Sequence, residues 1–171
     1  PELWPVGAAF HGVELGPGLV CLLGGAPGAG KTCLAMQWII DSLRADDSLR
    51  ALIANIEMSP CTLLDRQLAR LSGVDGSWIR KRWLEGNTDR VQPALEVLRG
   101  VSDRLAFHVG KPTLVDVARS ANAFGARLVA LDYIQRFSLG AGDAPADKRS
   151  ELDSIMSHVR KFADSGLGVL C

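Results

Sequence analysis

Apolar and polar positions along the chain fall into two alternating patterns. Short, nearly unbroken apolar runs occur at 19–24 (LVCLLG), 51–56 (ALIANI), 105–109 (LAFHV) and 127–134 (RLVALDYI), with longer stretches between them where apolar residues recur every three or four positions. A continuous apolar run predicts a strand covered on both faces, and the three-to-four spacing predicts a helix with one apolar side. Helices are predicted over 31–45 (Leu34, Ala35, Trp38, Ile39, Leu43), over 60–72 with Gly73 as the cap, over 76–84 and over about 89–99. Pro93 predicts either a kink in the last of these or a start near Gln92. Thr113, with Asp116 three residues on, predicts the N-cap of a helix that runs to Phe124 and closes at Gly125. Leu152, Ile155, Met156, Val159, Phe162 and Ala163 form a stripe that predicts a helix over 150–163, and a last strand starts near Leu167. Residues 138–149 (SLGAGDAPADKR) carry almost no apolar side chains and predict a loop. Strands alternating with helices predict an α/β fold, a mostly parallel sheet flanked by helices.

Composition narrows the class without changing this picture. With 171 residues, 47% apolar and 22% charged, the chain is not a disordered segment, a collagen or a disulfide scaffold, and its length predicts a single domain. Lys plus Arg (19) balances Asp plus Glu (19), so bulk charge does not attract nucleic acid and any such contact must be local. The densest basic run, Arg80-Lys81-Arg82, lies between Trp78 and Trp83. These tryptophans could stack bases, but on a helix the stronger expectation is that they pack inward behind a solvated basic face. In the 138–149 loop, Lys148 and Arg149 are offset by Asp143 and Asp147. Cys21, Cys33, Cys61 and Cys171 form no CxxC pair and no zinc spacing, and are expected to be small buried thiols of a reducing cytosol. His11, His108 and His158 have no second ligand at metal spacing. The first residues carry no signal peptide, and the longest apolar run, Leu19 to Leu23, is far short of a membrane span, so a cytoplasmic protein without membrane contact is expected. The sequence starts at Pro1 and stops inside GLGVLC, which reads as a fragment cut at its C-terminal side.

The first run leads directly into candidate chemistry. Gly25-Ala26-Pro27-Gly28-Ala29-Gly30-Lys31-Thr32 matches G-x-x-x-x-G-K-[ST] between a predicted strand and a predicted helix, the context in which that motif cradles phosphates. Glycines let the backbone approach the phosphates closely and the helix N-terminus adds partial positive charge. Lys31 supplies a full charge to the β- and γ-phosphates, and the Thr32 hydroxyl a ligand for Mg²⁺. A nucleotide with Mg²⁺ is therefore the expected ligand. A Mg²⁺–nucleotide site also requires a carboxylate at a nearby strand end, which Asp132 provides after Leu128–Leu131. Glu57, closing the 51–56 run at the carboxyl edge of the expected sheet, is the candidate base for hydrolysis.

Together these segments resemble the C-terminal ATPase domain of DnaB-type replicative helicases. Ile56-Glu57-Met58-Ser59, followed by Leu63, Leu64 and Arg66, resembles the stretch after that family's phosphate loop. Leu131-Asp132-Tyr133-Ile134-Gln135 resembles its second acidic motif, and LARLSGVDGSWIRKRWLEG its intervening helical stretch. The resemblance runs from about Gly16 to Cys171 and implies a RecA-like P-loop NTPase fold. It further implies a hexameric ring of identical subunits that hydrolyses ATP and moves along single-stranded DNA during replication, with primase or a helicase loader as further partners. It assigns Lys31 and Glu57 to catalysis and Thr32 and Asp132 to Mg²⁺. It places the phosphates on the loop from Gly25 to Cys33 and gives Gln135 the coupling of nucleotide to a DNA-facing loop. Arg136 departs from the pattern, which usually has an apolar residue there. The segment carrying the family's trans-acting arginine is expected beyond Cys171. A RecA-like module that uses ATP for assembly or regulation, without unwinding, is the alternative.

Overall fold

The computed structural model describes residues 2–7, 10, 12–85, 88–140 and 148–171, with Arg82, Trp83, Leu84 and Lys148 described in backbone only. His11, residues 141–147 of the predicted loop, and the side chains of the second half of the basic run therefore lie outside the described residues. Among the described residues, five strands form one sheet: β1 (Val20–Cys21), β2 (Ala51–Asn55), β3 (Leu105–Phe107), β4 (Leu128–Asp132) and β5 (Gly168–Leu170). Their order is β1-β5-β4-β2-β3, and every pairing is parallel. The helices are α1 (Lys31–Ala45), α2 (Pro60–Ser72), α3 (Gly76–Leu84), α4 (Gln92–Arg99), α5 (Leu114–Phe124) and α6 (Lys148–Asp164).

The continuous apolar runs follow from coverage on both sides. Along β2, Ala51 and Ile53 face α1 with its Trp38, Ile39 and Leu43, whereas Leu52 and Ala54 face α5 and α6 with Val117, Ile155 and Val159. β4 divides in the same way, Leu128 and Ala130 to one core and Val129 and Leu131 to the other. Strand alternation supplies the two faces, and two helical layers bury them. A smaller cluster of Leu68, Val74, Ile79, Val91 and Ala94 joins α2, α3 and α4 outside the first layer. Trp78 is half-buried against this cluster with the Arg90 guanidinium 4.8 Å from its ring, while Arg80 and Lys81 are exposed. That is the inward-packing arrangement for the described part of the basic run.

Several predicted boundaries shift, each for a local reason. β1 is an edge strand and shorter than 19–24: Leu19 O and Leu23 N still pair with β5, but Leu22 is 58% exposed. β3 stops at Phe107; the His108 N–H reaches Ile53 O, and Val109 then leaves the sheet with 86% of its surface exposed. His108 is held structurally, Nδ1 beside Ser120 Oγ and Nε2 beside Lys111 O. Of the two readings of Pro93, the structure takes the start: Asp89–Val91 form one 3-10 turn, and α4 begins at Gln92 with proline in its first turn. The strand predicted over 127–134 ends at Asp132; Ile134–Arg136 form a 3-10 turn after a cis Asp132–Tyr133 peptide. Lys148 and Arg149, expected in the loop, begin α6.

The segment before β1 lies across the sheet's edge. Trp4 and Val6 are buried, the Trp4 N–H pairs with Leu15 O, and Ser42 Oγ donates to Pro5 O. At Gly168 a Cβ would meet the Trp4 ring and stand 2.8 Å from Gly16 O, so β5 needs glycine there for the close approach of this strap. G168A is therefore expected to cost about 1–3 kcal/mol by overpacking. The check is thermal unfolding, with a lowering of roughly 2–12 °C for a chain of this size; an unchanged transition would show that the strap does not hold β5.

Candidate nucleotide site

In an all-parallel sheet the carboxyl ends of the strands share one edge, and here that edge carries every predicted site element. The loop after β1 is exposed from Gly24 to Gly30 and turns tightly, Ala29 N–H donating to Ala26 O at 3.1 Å. Gly28 (φ 80°) and Gly30 (φ 87°) adopt the left-handed conformation, and no heavy atom stands within 4 Å of where a Cβ would sit on either. Their glycine requirement is conformational, and the space above them is open.

α1 starts immediately at Lys31. Its N-cap is Gly30, no side chain caps it, and its first turn contains no acidic residue. α2 and α5 differ: Ser59 Oγ accepts the Thr62 N–H, and Thr113 Oγ1 accepts the Asp116 N–H. The first N–H groups of α1, among them those of Lys31, Thr32 and Cys33, and the positive end of its dipole are thus left for an anion. Lys31 Nζ bends back to Gly25 O (2.8 Å) and Ala26 O (3.0 Å), bracing the loop with its ammonium over the glycines.

Cys33 and Cys61 are exposed, and Cys21 and Cys171 only partly covered, which corrects the expectation of four buried thiols. Cys33 Sγ lies 3.8 Å from the Arg66 guanidinium, so it sits on the outer side of the loop helix toward α2. Burial pushes the Cys171 thiol up to about 12, and the field of the neighbouring Cys21 thiolate acts in the same direction.

Asp132 ends β4 opposite Asn55, the last residue of β2. One strand, β5, separates β4 from β1. At strand spacing this puts Asp132 about 10 Å across the edge from the end of β1, a gap of polyphosphate length. Glu57 is exposed, two residues beyond the end of β2 rather than at its last position. Its backbone N–H donates to Asn55 Oδ1 (2.9 Å), and so does that of Met58 (2.7 Å). Asn55 Nδ2 donates to Asp132 Oδ2 at 2.6 Å. The two carboxylate-bearing elements are therefore joined through one side chain that the sequence reading missed. A single amide closing an otherwise apolar strand run, directly before the acidic turn, was the available signal.

Gln135 stands exposed in the 3-10 turn after Asp132. Beside it, Arg136 Nε donates to the Tyr133 hydroxyl at 2.7 Å, and the guanidinium lies 5.5 Å from that ring. Its charged form is favoured first by this hydrogen bond and further by the field of the Glu57 carboxylate.

A hydroxyl and a carboxylate are hard oxygen donors of the kind Mg²⁺ takes when phosphates and water complete its shell. Among the described residues no group of three or more His, Cys, Asp or Glu side chains could hold a metal alone. The donor set thus fits an ion that arrives with a nucleotide.

A glycine-rich loop between a parallel strand and an uncapped helix, an acidic strand end across the same edge, and strand order β1-β5-β4-β2-β3 define a P-loop NTPase with a RecA-like core. Within that class the chain belongs to the DnaB-like helicase C-terminal domain family, whose model matches residues 9–167. Similar solved structures include one described as an ATPase domain (TM-score 0.72, 16% identity, covering 88% of this chain and 55% of that one). Another is a DnaB-like replicative helicase described with its interactions with primase (TM-score 0.75, 14% identity, covering 91% of this chain and 38% of that one). At those identities the likeness is one of fold, and the chain spans about half or less of the structures it matches. No curated protein matches it. Among the described residues, no helix is long and apolar enough to cross a membrane.

Proposed function

We propose that this chain is the ATP-hydrolysing motor core of a ring-forming DNA helicase that moves on single-stranded DNA in the cytoplasm. The observation that carries the reading is the joining of Asp132 and the Glu57 turn at the sheet edge that also bears the Lys31 loop. Mg²⁺–ATP supplies the phosphoryl group and the ion that neutralises it. The amides from Gly25 to Cys33 hold the phosphates, and Lys31 leaves its two loop carbonyls for the β- and γ-phosphate oxygens. Thr32 offers its hydroxyl, and Asp132 its carboxylate through water, to the ion. The Glu57 carboxylate orients the attacking water and takes its proton. Gln135, exposed past Asp132, relays the state of this edge to the segment that follows.

Zero net charge fits such a motor, because several weak loop contacts repeated around a ring grip a strand without a basic surface. A ring of identical subunits, with primase or a loader as transient partners, belongs to the same proposal; the solved relative described with primase is consistent with it. The test is strand displacement by the intact protein on a forked duplex, with ATP turnover measured in parallel. ATP-dependent displacement is the expected result. Turnover without displacement would overturn the motor and leave an ATP-gated assembly module.

A further inference from the structure

We infer that Asn55 is a positioning residue for ATP hydrolysis, holding the Glu57 turn in register with Asp132. The inference rests on the reading of Glu57 as base and Asp132 as the ion's carboxylate, and adds how the two are fixed relative to each other. Asn55 and Asp132 face each other as the last registered pair of β2 and β4, and Ile56 N–H donates to Asp132 O at 3.1 Å, tying the main chains at the same point. The side chain then works in two directions: Nδ2 donates to Asp132 Oδ2 (2.6 Å), and Oδ1 accepts the N–H groups of Glu57 (2.9 Å) and Met58 (2.7 Å).

These partners fix the amide's orientation. Turned over, its carbonyl would face a carboxylate and its NH₂ would face two N–H groups. They also fix the residue type. Aspartate keeps the acceptor for the turn but sets a second carboxylate against Asp132, alanine keeps neither bond, and serine is too short to span both partners. A half-buried asparagine closing an apolar strand is otherwise poorly suited to a sheet. Its three bonds all serve the two acidic elements. Anything that moves Asp132 thus shifts the turn that aims Glu57, which makes Asn55 the mechanical link between ion binding and the base.

The test compares N55A, E57Q and the double variant in the intact protein, by single-turnover hydrolysis and by KM for ATP. N55A is expected to lower kcat by about 10- to 100-fold, as small misplacements of catalytic groups do, with KM changed by less than about threefold. In the E57Q background, N55A is expected to cost markedly less than in the native one, because most of its effect runs through Glu57; a merely structural role would cost the same factor in both backgrounds. N55S, too short to reach both partners and without a second carboxylate, carries the same expectations where N55A does not fold. Equal costs in both backgrounds, or native kcat in N55A and N55S beside an inactive E57Q, would overturn this inference alone. Full turnover in E57Q would overturn the base assignment, and this inference with it.

Discussion

K31A is expected to abolish measurable ATP turnover and to weaken nucleotide binding, while leaving the fold intact. In the structure Lys31 Nζ makes two hydrogen bonds, both to carbonyls of its own loop. Those bonds brace an exposed loop and contribute little to the core, so the unfolding temperature should fall by no more than a few degrees. On phosphate the same ammonium exchanges two neutral carbonyl partners for charged oxygens. Charge-assisted bonds are worth about 1.5–3 kcal/mol each, so losing two corresponds to about 10²–10⁴ in rate or binding. K31R tests geometry separately from charge. It keeps the cation, but a planar fork does not reach over glycines at φ 80° and 87° as a single ammonium does, so it should recover binding better than turnover. Equilibrium nucleotide binding and steady-state hydrolysis on the same preparations check both variants. Native turnover in K31A would remove the phosphate-loop assignment altogether.

How much of this could be read from sequence depends on how local the determining physics is. α1, α2 and α5 begin within a residue of where their signals place them, because a glycine loop, Ser59 and Thr113 act on their own first turns. β2 and β4 are equally legible, since each is covered on both faces and so reads as an unbroken apolar run. The ends of β1 and β3 are less so. Both are edge strands with a neighbour on one side only, and Leu22 and Val109, which extend their apolar runs, are exposed in the fold. The site divides along the same line. Lys31 and Thr32 belong to a contiguous motif, and Asp132 and Glu57 follow apolar runs. Asn55 owes its role to a partner 77 positions away, brought opposite it only by sheet register. Arg136 is similar: as a sequence feature it is a charge in an apolar slot, whereas in the fold its guanidinium lies over the Tyr133 ring and its Nε donates to the tyrosine hydroxyl.

E57Q is expected to separate binding from chemistry in a way K31A cannot. The Glu57 side chain is exposed at the carboxyl edge, and its turn is pinned through backbone N–H groups that glutamine leaves unchanged. The substitution therefore preserves shape, the Asn55 bridge and the loop after β1, and removes the carboxylate's charge and its ability to take a proton. General-base loss typically costs about 10²–10⁴ in rate, which should appear entirely in kcat, with ATP affinity equal to or tighter than native because one negative charge near the phosphates is gone. E57D refines the assignment: the carboxylate remains but is drawn back by one methylene, so activity should lie between native and E57Q, as expected where the base must meet water at hydrogen-bond distance. The discriminating measurement is rapid-quench hydrolysis alongside nucleotide binding, on K31A and E57Q together. Loss of both binding and turnover in K31A, with loss of turnover alone in E57Q, would separate the cradle from the base. Loss of ATP affinity in E57Q comparable to that in K31A would mean that Glu57 holds the nucleotide or its ion. The base would then have to be sought among the other polar groups of this edge.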